Sequence, residues 1–193
     1  MGARPGPEAA PRLAVPAAGH RASFFEALGE YHAEGRHLEL PADLLADPAE
    51  FARYVAALAA GAAKPGEADS YLAALEQRPL LTTWPDGYVP QTVLWWAAGD
   101  EYLGRLSIRH HLTPHLLHEG GHIGFEVRPS ARRRGHAAAM LAAALPLAAA
   151  LGVDPARLDC DAGNAASRRV IEKNGGVLDE ERDGTLYFWI PTM

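Results

Sequence analysis

Disulfides, membrane-spanning segments and an excess of positive charge are all missing from this sequence. Its 193 residues include a single cysteine, Cys160, so the chain cannot form an internal disulfide. The beginning of the chain has no hydrophobic signal core, and the apolar stretch from Leu141 to Leu151 is too short to span a bilayer. We therefore expect a cytoplasmic protein with no membrane partner.

The charge balance argues against a nucleic-acid partner. The formal net charge is −6 at pH 7, whereas proteins that bind nucleic acid usually present a basic surface. Apolar residues make up 48% of the chain and charged residues 22%, which is ordinary for a soluble globular domain. We expect a mobile tail over residues 1–11 and a single domain over residues 12–193.

The hydrophobic pattern predicts helices early in the chain and strands later. Apolar residues recur at helical spacing in residues 23–32, 47–58 and 67–75, and a Pro-Asp-Gly turn lies within residues 84–87. Extended patterns predict seven strands, at residues 13–15, 92–97, 102–111, 122–127, 157–161, 177–181 and 186–190.

Two more helices separate the later strands. One is an Ala/Leu-rich run that ends near Leu151, and the other begins at Asn164. Pro146 lies inside the first of them and is expected to kink that helix or divide it in two. This order of elements predicts a mixed α/β fold built around one sheet.

The most informative stretch is a basic, glycine-containing loop between a predicted strand and the Ala/Leu-rich helix. It includes Arg132-Arg133-Arg134-Gly135-His136-Ala137. The first turn of a helix has unpartnered N–H groups and a partial positive charge, so it attracts anions. Gly135 lets the backbone approach such an anion closely, and the small Ala137 keeps the next turn open. The stretch therefore predicts a polyphosphate site.

The same stretch resembles the acyl-CoA-binding motif of the GNAT N-acetyltransferase superfamily. That motif is a strand ending in V-x-P, then Arg or Gln, two variable residues, Gly, one variable residue, and Gly or Ala. The matching residues here are Val127, Pro129, Arg132, Gly135 and Ala137. A second matching segment, Asn164-Ala165-Ala166-Ser167 followed by Glu172-Lys173-Asn174-Gly175-Gly176, comes one helix and one strand later, as in the family.

The resemblance implies a fold and a reaction. The fold is a mostly antiparallel, twisted sheet of about six to seven strands with helices on both faces. The reaction is transfer of an acetyl group from acetyl-CoA, without a metal, to the amine of a small molecule or peptide by direct attack. The family also commonly dimerises, so a homodimer is a further expectation.

The resemblance also implies which residues bind the coenzyme. Backbone amides from Arg133 to Ala137 would hold the pyrophosphate, and arginine side chains would add charge-assisted hydrogen bonds, with Arg132 favoured by its motif position. The backbone of the preceding strand would pair with pantetheine like an added strand. The predicted cofactor-binding residues are Phe125, Val127, Arg132, Arg133, Arg134, Gly135, His136, Ala137, Asn164 and Ser167.

Acetyl transfer to an amine requires a base, because a lysine-like amine has a pKa of about 10.4 and is protonated near neutral pH. Glu126 is the main candidate, since strand alternation points its side chain to the face opposite that of Val127, beside the expected thioester. His111, His122 and Asp161 are rival candidates. By analogy with the family, the N–H of Val127 would hold the oxyanion.

One position departs from the family pattern. Many members have a tyrosine that protonates the leaving thiolate, and Ile171 occupies the corresponding position here. Cys160, Tyr187 or a water molecule could replace it. The departure also keeps open an alternative function, a non-catalytic module that binds or senses CoA.

Two further groups of residues have competing interpretations. Trp95, Tyr102 and His122 are candidates for the acceptor pocket, although core packing is an alternative for the two aromatic residues. His118-Glu119-Gly120-Gly121-His122 matches the zinc-protease signature H-E-x-x-H, which works only on a helix. Consecutive glycines disfavour a helix, so we expect a turn there, no metal site, and a zinc hydrolase only as the weaker alternative.

Overall fold

The computed structural model describes residues 9–61 and 89–193. The helix expected at residues 67–75 and the turn expected at 84–87 lie outside these residues, as does the greater part of the expected tail, residues 1–8. Among the residues described, none of the helices combines the length and the apolar character that crossing a membrane would require.

Seven strands and six α-helices form the part of the chain that the structure describes. The strands are β1 (Arg12–Ala14), β2 (Gln91–Ala98), β3 (Glu101–Arg109), β4 (Ile123–Val127), β5 (Ala156–Asp161), β6 (Val177–Arg182) and β7 (Thr185–Ile190). The helices are α1 (Arg21–Ala33), α2 (Ala42–Leu45), α3 (Pro48–Gly61), α4 (Pro114–His118), α5 (His136–Ala150) and α6 (Ala165–Lys173). Two 3₁₀ turns, Ala18–His20 and Pro129–Ala131, complete the list.

The strands form two antiparallel sheets, in the orders β1-β2-β3-β4 and β5-β7-β6. The number of strands and their antiparallel pairing agree with the prediction, and the predicted sheet is divided into a four-stranded and a three-stranded part. The two sheets meet where β4 and β5 begin. There the His122 N–H donates to the Arg157 carbonyl (2.7 Å), and the Arg157 N–H donates to His122 Nδ1 (2.9 Å). Beyond this junction β4 and β5 pair with different neighbours, which leaves a gap between the sheets.

Helices pack on both faces of the four-stranded sheet, as predicted. On one face, α5 buries Met140, Leu141, Ala144 and Ala148, which recur at helical spacing. On the other face, α1 and α3 enclose an aromatic cluster that includes Trp95. Because successive strand residues point to opposite faces, Trp95 joins the second cluster and its neighbour Trp96 joins the first.

Two local features differ from the sequence prediction or were not part of it. α5 runs through Pro146 without a break, so of the two outcomes expected there, a kink or a division in two, the division does not occur. Pro146 and Ala142, four residues before it, are both exposed, so the carbonyl that loses its N–H partner lies on the solvent side. The helix α4 was not predicted. It begins with a proline, and the Thr113 hydroxyl caps it by accepting from the Leu116 N–H (3.2 Å).

Candidate active site

A cavity of about 750 Å³ lies at the gap between the two sheets. Its walls come from the end of β4, the loop that follows it, the first turn of α5, the exposed face of α6 and the segment after α1. Nine of the ten predicted cofactor-binding residues line it: Phe125, Val127, Arg132, Arg133, Gly135, His136, Ala137, Asn164 and Ser167. Arg134 is the predicted residue that does not.

The open edge of β4 faces this cavity. The Arg128 N–H donates to the Leu103 carbonyl on β3 (2.9 Å), so strand alternation turns the backbone groups of Phe125 and Val127 away from β3. The Val127 carbonyl accepts a hydrogen bond from Arg132 Nε (3.1 Å), which agrees with that direction. The residues predicted to pair with pantetheine thus lie on the strand edge that has no ladder partner in the structure.

The loop after β4 enters α5 through two left-handed residues. Arg133 has φ 62° and Gly135, the N-cap residue of α5, has φ 86°. Among the described residues, no side chain caps this end of α5, so its first-turn N–H groups are available to an anion. The ring of His136 is held at the same end, because its Nδ1 accepts from Trp96 Nε1 (3.2 Å).

The charge of the cavity contrasts with that of the whole chain. Five basic side chains and two acidic ones line it, although the protein has a net charge of −6. The basic residues are Arg36, Arg132, Arg133, Arg169 and Lys173, and the acidic residues are Glu34 and Glu126. A cationic cavity beside an uncapped helix N-terminus suits an anionic ligand of several phosphates.

Helix α1 fixes the loop through acidic residues that the sequence reading missed. Glu26, Glu30 and Glu34 recur every four residues and therefore share one face of α1. Glu30 accepts from Arg128 Nε (3.0 Å) and from the Ser130 N–H (2.9 Å). Burial would raise the pKa of Glu30, but these hydrogen bonds outweigh it and the pKa is lowered. The i, i+4 spacing was the signal that could have revealed this face.

The side chain of Glu126, the candidate base, is surrounded by cations. Its Oε2 lies 2.8 Å from Arg36 Nη2 and 2.8 Å from His37 Nε2, and its Oε1 lies 3.7 Å from Arg105 Nε. Burial opposes its ionisation, yet the hydrogen bond from His37 and the two arginines lower its pKa. A carboxylate stabilised in this way holds a proton weakly, which weighs against Glu126 as the sole base.

Comparison with known proteins identifies the family. The profile of the acetyltransferase (GNAT) domain matches residues 31–177, which is more than half of the chain. The chain belongs to the GNAT acetyltransferase family. The predicted family is thereby confirmed, and with it the assignment of the chain to the acetyltransferases.

Solved structures share the GNAT fold at low sequence identity. The Salmonella typhimurium protein YncA, solved with acetyl-CoA, is 16% identical, with a TM-score of 0.54 and 95% of each chain covered. RimJ of Mycobacterium smegmatis, in complex with CoA-disulfide, is 19% identical, with a TM-score of 0.52 over 96% of this chain and 87% of RimJ. RimL, a ribosomal L7/L12 alpha-N-protein acetyltransferase, is 15% identical, with a TM-score of 0.50 over 93% of this chain and 88% of RimL. A search of curated proteins finds no match.

The rival bases lie outside the GNAT cavity. His122 serves the junction of β4 and β5, because its Nδ1 accepts from Arg157, and burial together with the charge of Arg109 lowers its pKa to about 4. His111 is exposed in the segment after β3, near that closed junction and not near Glu126. Asp161 is exposed at the end of β5 and accepts from the Gly163 N–H (2.6 Å). None of the three lines the cavity.

The position of the usual GNAT tyrosine faces the core. Ile171 is fully buried in the core and does not line the cavity. Its suggested replacements are also poorly placed. The Tyr187 hydroxyl donates to the His118 carbonyl (2.6 Å), and burial raises the pKa of the Cys160 thiol.

The aromatic candidates for the acceptor pocket are core residues. Trp95 and Tyr102 are almost completely buried, and their rings pack edge to face with centroids 5.1 Å apart. They line a separate void of about 10 Å³, the size of one water molecule. Glu126 lines both this void and the large cavity.

The H-E-x-x-H segment lacks the helical geometry that zinc binding requires. α4 ends at His118, Glu119 is extended, and Gly120 and Gly121 have φ 103° and 55°. The two histidines therefore do not share a helix face. Within the described residues, no group of three or more His, Cys, Asp or Glu side chains is arranged to hold a metal ion. The segment therefore gives no structural support to the zinc-hydrolase alternative.

Proposed function

We propose that this GNAT protein transfers the acetyl group of acetyl-CoA to an amine by direct attack of the amine on the thioester. The observation that carries the proposal is the cationic cavity of about 750 Å³ at the open edge of β4 and the uncapped start of α5. This cavity lies in a protein whose net charge is negative. Cavities of 300–1,000 Å³ are typical of small-ligand sites.

In this proposal the coenzyme lies along the cavity in a fixed direction. Its pyrophosphate binds the backbone amides from Arg133 to Ala137, with Arg132 as the first side-chain partner. Its pantetheine arm pairs with the open edge at Phe125 and Val127 and passes Asn164 and Ser167 on α6. The thioester then lies beside Val127, whose N–H supports the oxyanion, and near Glu126.

The acceptor is proposed to be a small-molecule or peptide amine. RimL acts on the N-terminus of a ribosomal protein, so peptide N-termini belong in the first acceptor panel with lysine, polyamines and aminoglycosides. We also propose that residues 12–193 act as one domain, in the cytoplasm, and that the protein is able to form a homodimer. Sedimentation velocity would measure whether the protein is a monomer or a dimer.

The test combines calorimetry with a thiol-release assay. Acetyl-CoA should bind at micromolar concentration, and at least one amine should accelerate release of the coenzyme thiol, with mass spectrometry identifying the acetylated product. Absence of acetyl-CoA binding at millimolar concentration would overturn the proposal. Tight binding with no turnover across the panel would instead favour the non-catalytic CoA-binding module.

A further inference from the structure

The five basic side chains that line the large cavity differ in whether an acidic side chain neutralises them. Arg36 pairs with Glu126 (2.8 Å), and Arg132 pairs with Glu34 (2.7 Å). In the part of the chain that the structure describes, the other three side chains form no ion pair and no hydrogen bond. These three belong to Arg133, Arg169 and Lys173. The described wall of the cavity therefore contains positive charge that is available to a ligand.

Two of these unpaired cations share one face of α6. Arg169 and Lys173 are four residues apart, which makes them neighbours on the helix surface. Both residues are exposed, and both line the cavity. Arg168, which precedes Arg169 in the chain, does not line the cavity and pairs with Glu172 (2.8 Å). On α6, the arginine outside the cavity is neutralised, and the two cations inside it are not.

The end of α6 that carries Lys173 lies beside the beginning of α5. Asn174, the C-cap residue of α6, donates from Nδ2 to the Ala138 carbonyl (3.3 Å) and to the Val170 carbonyl (2.8 Å). Ala138 belongs to the first turn of α5 and lines the cavity. The N–H groups of that turn form the proposed pyrophosphate site, so the unpaired cations of α6 lie next to it.

The third phosphate of CoA differs in charge from the two phosphoryl units of the pyrophosphate. It is a monoester on the 3′ position of the ribose, and such monoesters have a second pKa of about 6, so it carries nearly two negative charges at pH 7. Each pyrophosphate unit carries about one. Backbone N–H groups and a helix dipole provide partial charges, whereas a doubly charged group favours full cations. Arginine and lysine are the side chains that supply them.

We infer that Arg169 and Lys173 bind the 3′-phosphate of CoA and make the cavity select CoA over 3′-dephospho-CoA. The inference rests on the proposed function, because it takes CoA to be the ligand of the cavity. It adds a subsite on α6 to a site in which the loop after β4 holds the pyrophosphate. The sequence reading named Asn164 and Ser167 on this side of the cavity and missed the two cations that follow them.

Calorimetry with CoA and with 3′-dephospho-CoA would test the inference. Wild-type protein should bind CoA about tenfold more tightly than 3′-dephospho-CoA, because the second ligand lacks the group that the two cations contact. Arg169→Gln and Lys173→Gln should each weaken CoA binding by about three- to tenfold and change the Kd of 3′-dephospho-CoA by less than about twofold. In the double variant, the two Kd values should lie within about threefold of each other.

Arg168→Gln is the matched control for these variants. It removes the same charge one position away, outside the cavity, and should leave the preference for CoA unchanged. Since Arg169 and Lys173 are exposed, their substitution should also leave the Tm of the free protein unchanged. A loss confined to one ligand at constant Tm is a result that a merely structural role would not produce.

The pattern of losses decides between the inference and its alternatives. Equal weakening of both ligands would show that the α6 cations contact the pyrophosphate. An undiminished preference in the double variant, no preference in wild-type protein, or an equal loss in Arg168→Gln would each overturn the 3′-phosphate assignment as well. If wild-type protein binds neither ligand at millimolar concentration, the proposed function fails with it. If wild-type protein shows the expected preference but acetylates no amine, the subsite stands and only the proposed acetyl transfer fails.

Discussion

Glu34 and Arg132 form a bidentate ion pair in the wall of the large cavity. Arg132 Nη1 lies 2.7 Å from Glu34 Oε1, and Arg132 Nη2 lies 2.7 Å from Glu34 Oε2. Both side chains line the cavity and are a little more than one third exposed. Arg132 is the arginine whose motif position matches the family pattern, so a coenzyme phosphate has to share or displace a carboxylate to use it.

Replacing Glu34 should therefore strengthen coenzyme binding. Glu34→Gln removes the competing charge and leaves the guanidinium free for phosphate. An exposed ion pair is weak, so the Kd of acetyl-CoA should fall by only about two- to fivefold. Calorimetry at low and high salt would measure the change in affinity, which should shrink as salt increases.

Glu172→Gln on α6, which breaks an exposed pair with Arg168 outside the cavity, is the control for loss of one negative charge. A weaker or unchanged affinity in Glu34→Gln would argue against phosphate contact by Arg132.

Gly135 offers a test of the phosphate loop that separates strain from ligand contact. A Cβ at this position meets no atom within 4 Å, but φ is 86°, so alanine should cost about 1 kcal/mol through backbone strain. Gly152, at the far end of α5, has φ 80° and the same open surroundings. Gly135→Ala and Gly152→Ala should lose similar stability by thermal unfolding, whereas Gly135→Ala alone should weaken acetyl-CoA binding. Equal coenzyme affinity in the two variants would show that the phosphate does not approach Gly135.

Local patterns were enough to predict most of the elements, and nine of the ten residues predicted to hold the coenzyme line one cavity. The strand, basic loop and helix from Val127 to Ala137 are contiguous, so the geometry of the loop follows from neighbouring residues. The strands and the later helices lie close to their expected positions for the same reason. The division into two sheets was missed because it depends on a single junction between His122 and Arg157, 35 residues apart.

The acceptor side was not predictable in the same way. Glu126 was found from its place beside Val127, but its contacts with Arg36 and His37 join residues about 90 positions apart. Neither partner belongs to a recognisable motif, and the left-handed conformation of His37, with φ 55°, is uncommon for a residue other than glycine. A short-range pattern contains no information on which distant side chain will reach a given carboxylate.

Close packing between β3 and β4 makes Gly104 a sensitive position beside the site. A Cβ added there would lie 2.3 Å from the Glu126 carbonyl oxygen and 3.0 Å from Val127 Cα, both backbone atoms that cannot move aside cheaply. Gly104→Ala should destabilise the protein by about 2–4 kcal/mol and reduce acetyl-CoA affinity by shifting β4. Gly29→Ala, in the exposed interior of α1 with no atom within 4 Å, should instead stabilise by about 0.5–1 kcal/mol. Chemical denaturation of both variants would check the contrast, and a neutral Gly104→Ala would mean that the strands are not packed this closely.

His122 should make the junction between β4 and β5 sensitive to acid. Its Nδ1 must be unprotonated to accept from the Arg157 N–H, and its pKa is about 4, whereas the pKa of an unfolded histidine is about 6.5. Between these two values the unfolded chain binds a proton that the folded chain does not, so stability falls as the pH is lowered from about 6.5 towards 4.

His122→Asn supplies an amide oxygen that accepts without titrating, and it should reduce the loss of Tm between pH 7 and pH 5. His115→Asn, on an exposed histidine, should leave that loss unchanged. An NMR titration that placed the His122 imidazole near its ordinary pKa would contradict the argument directly.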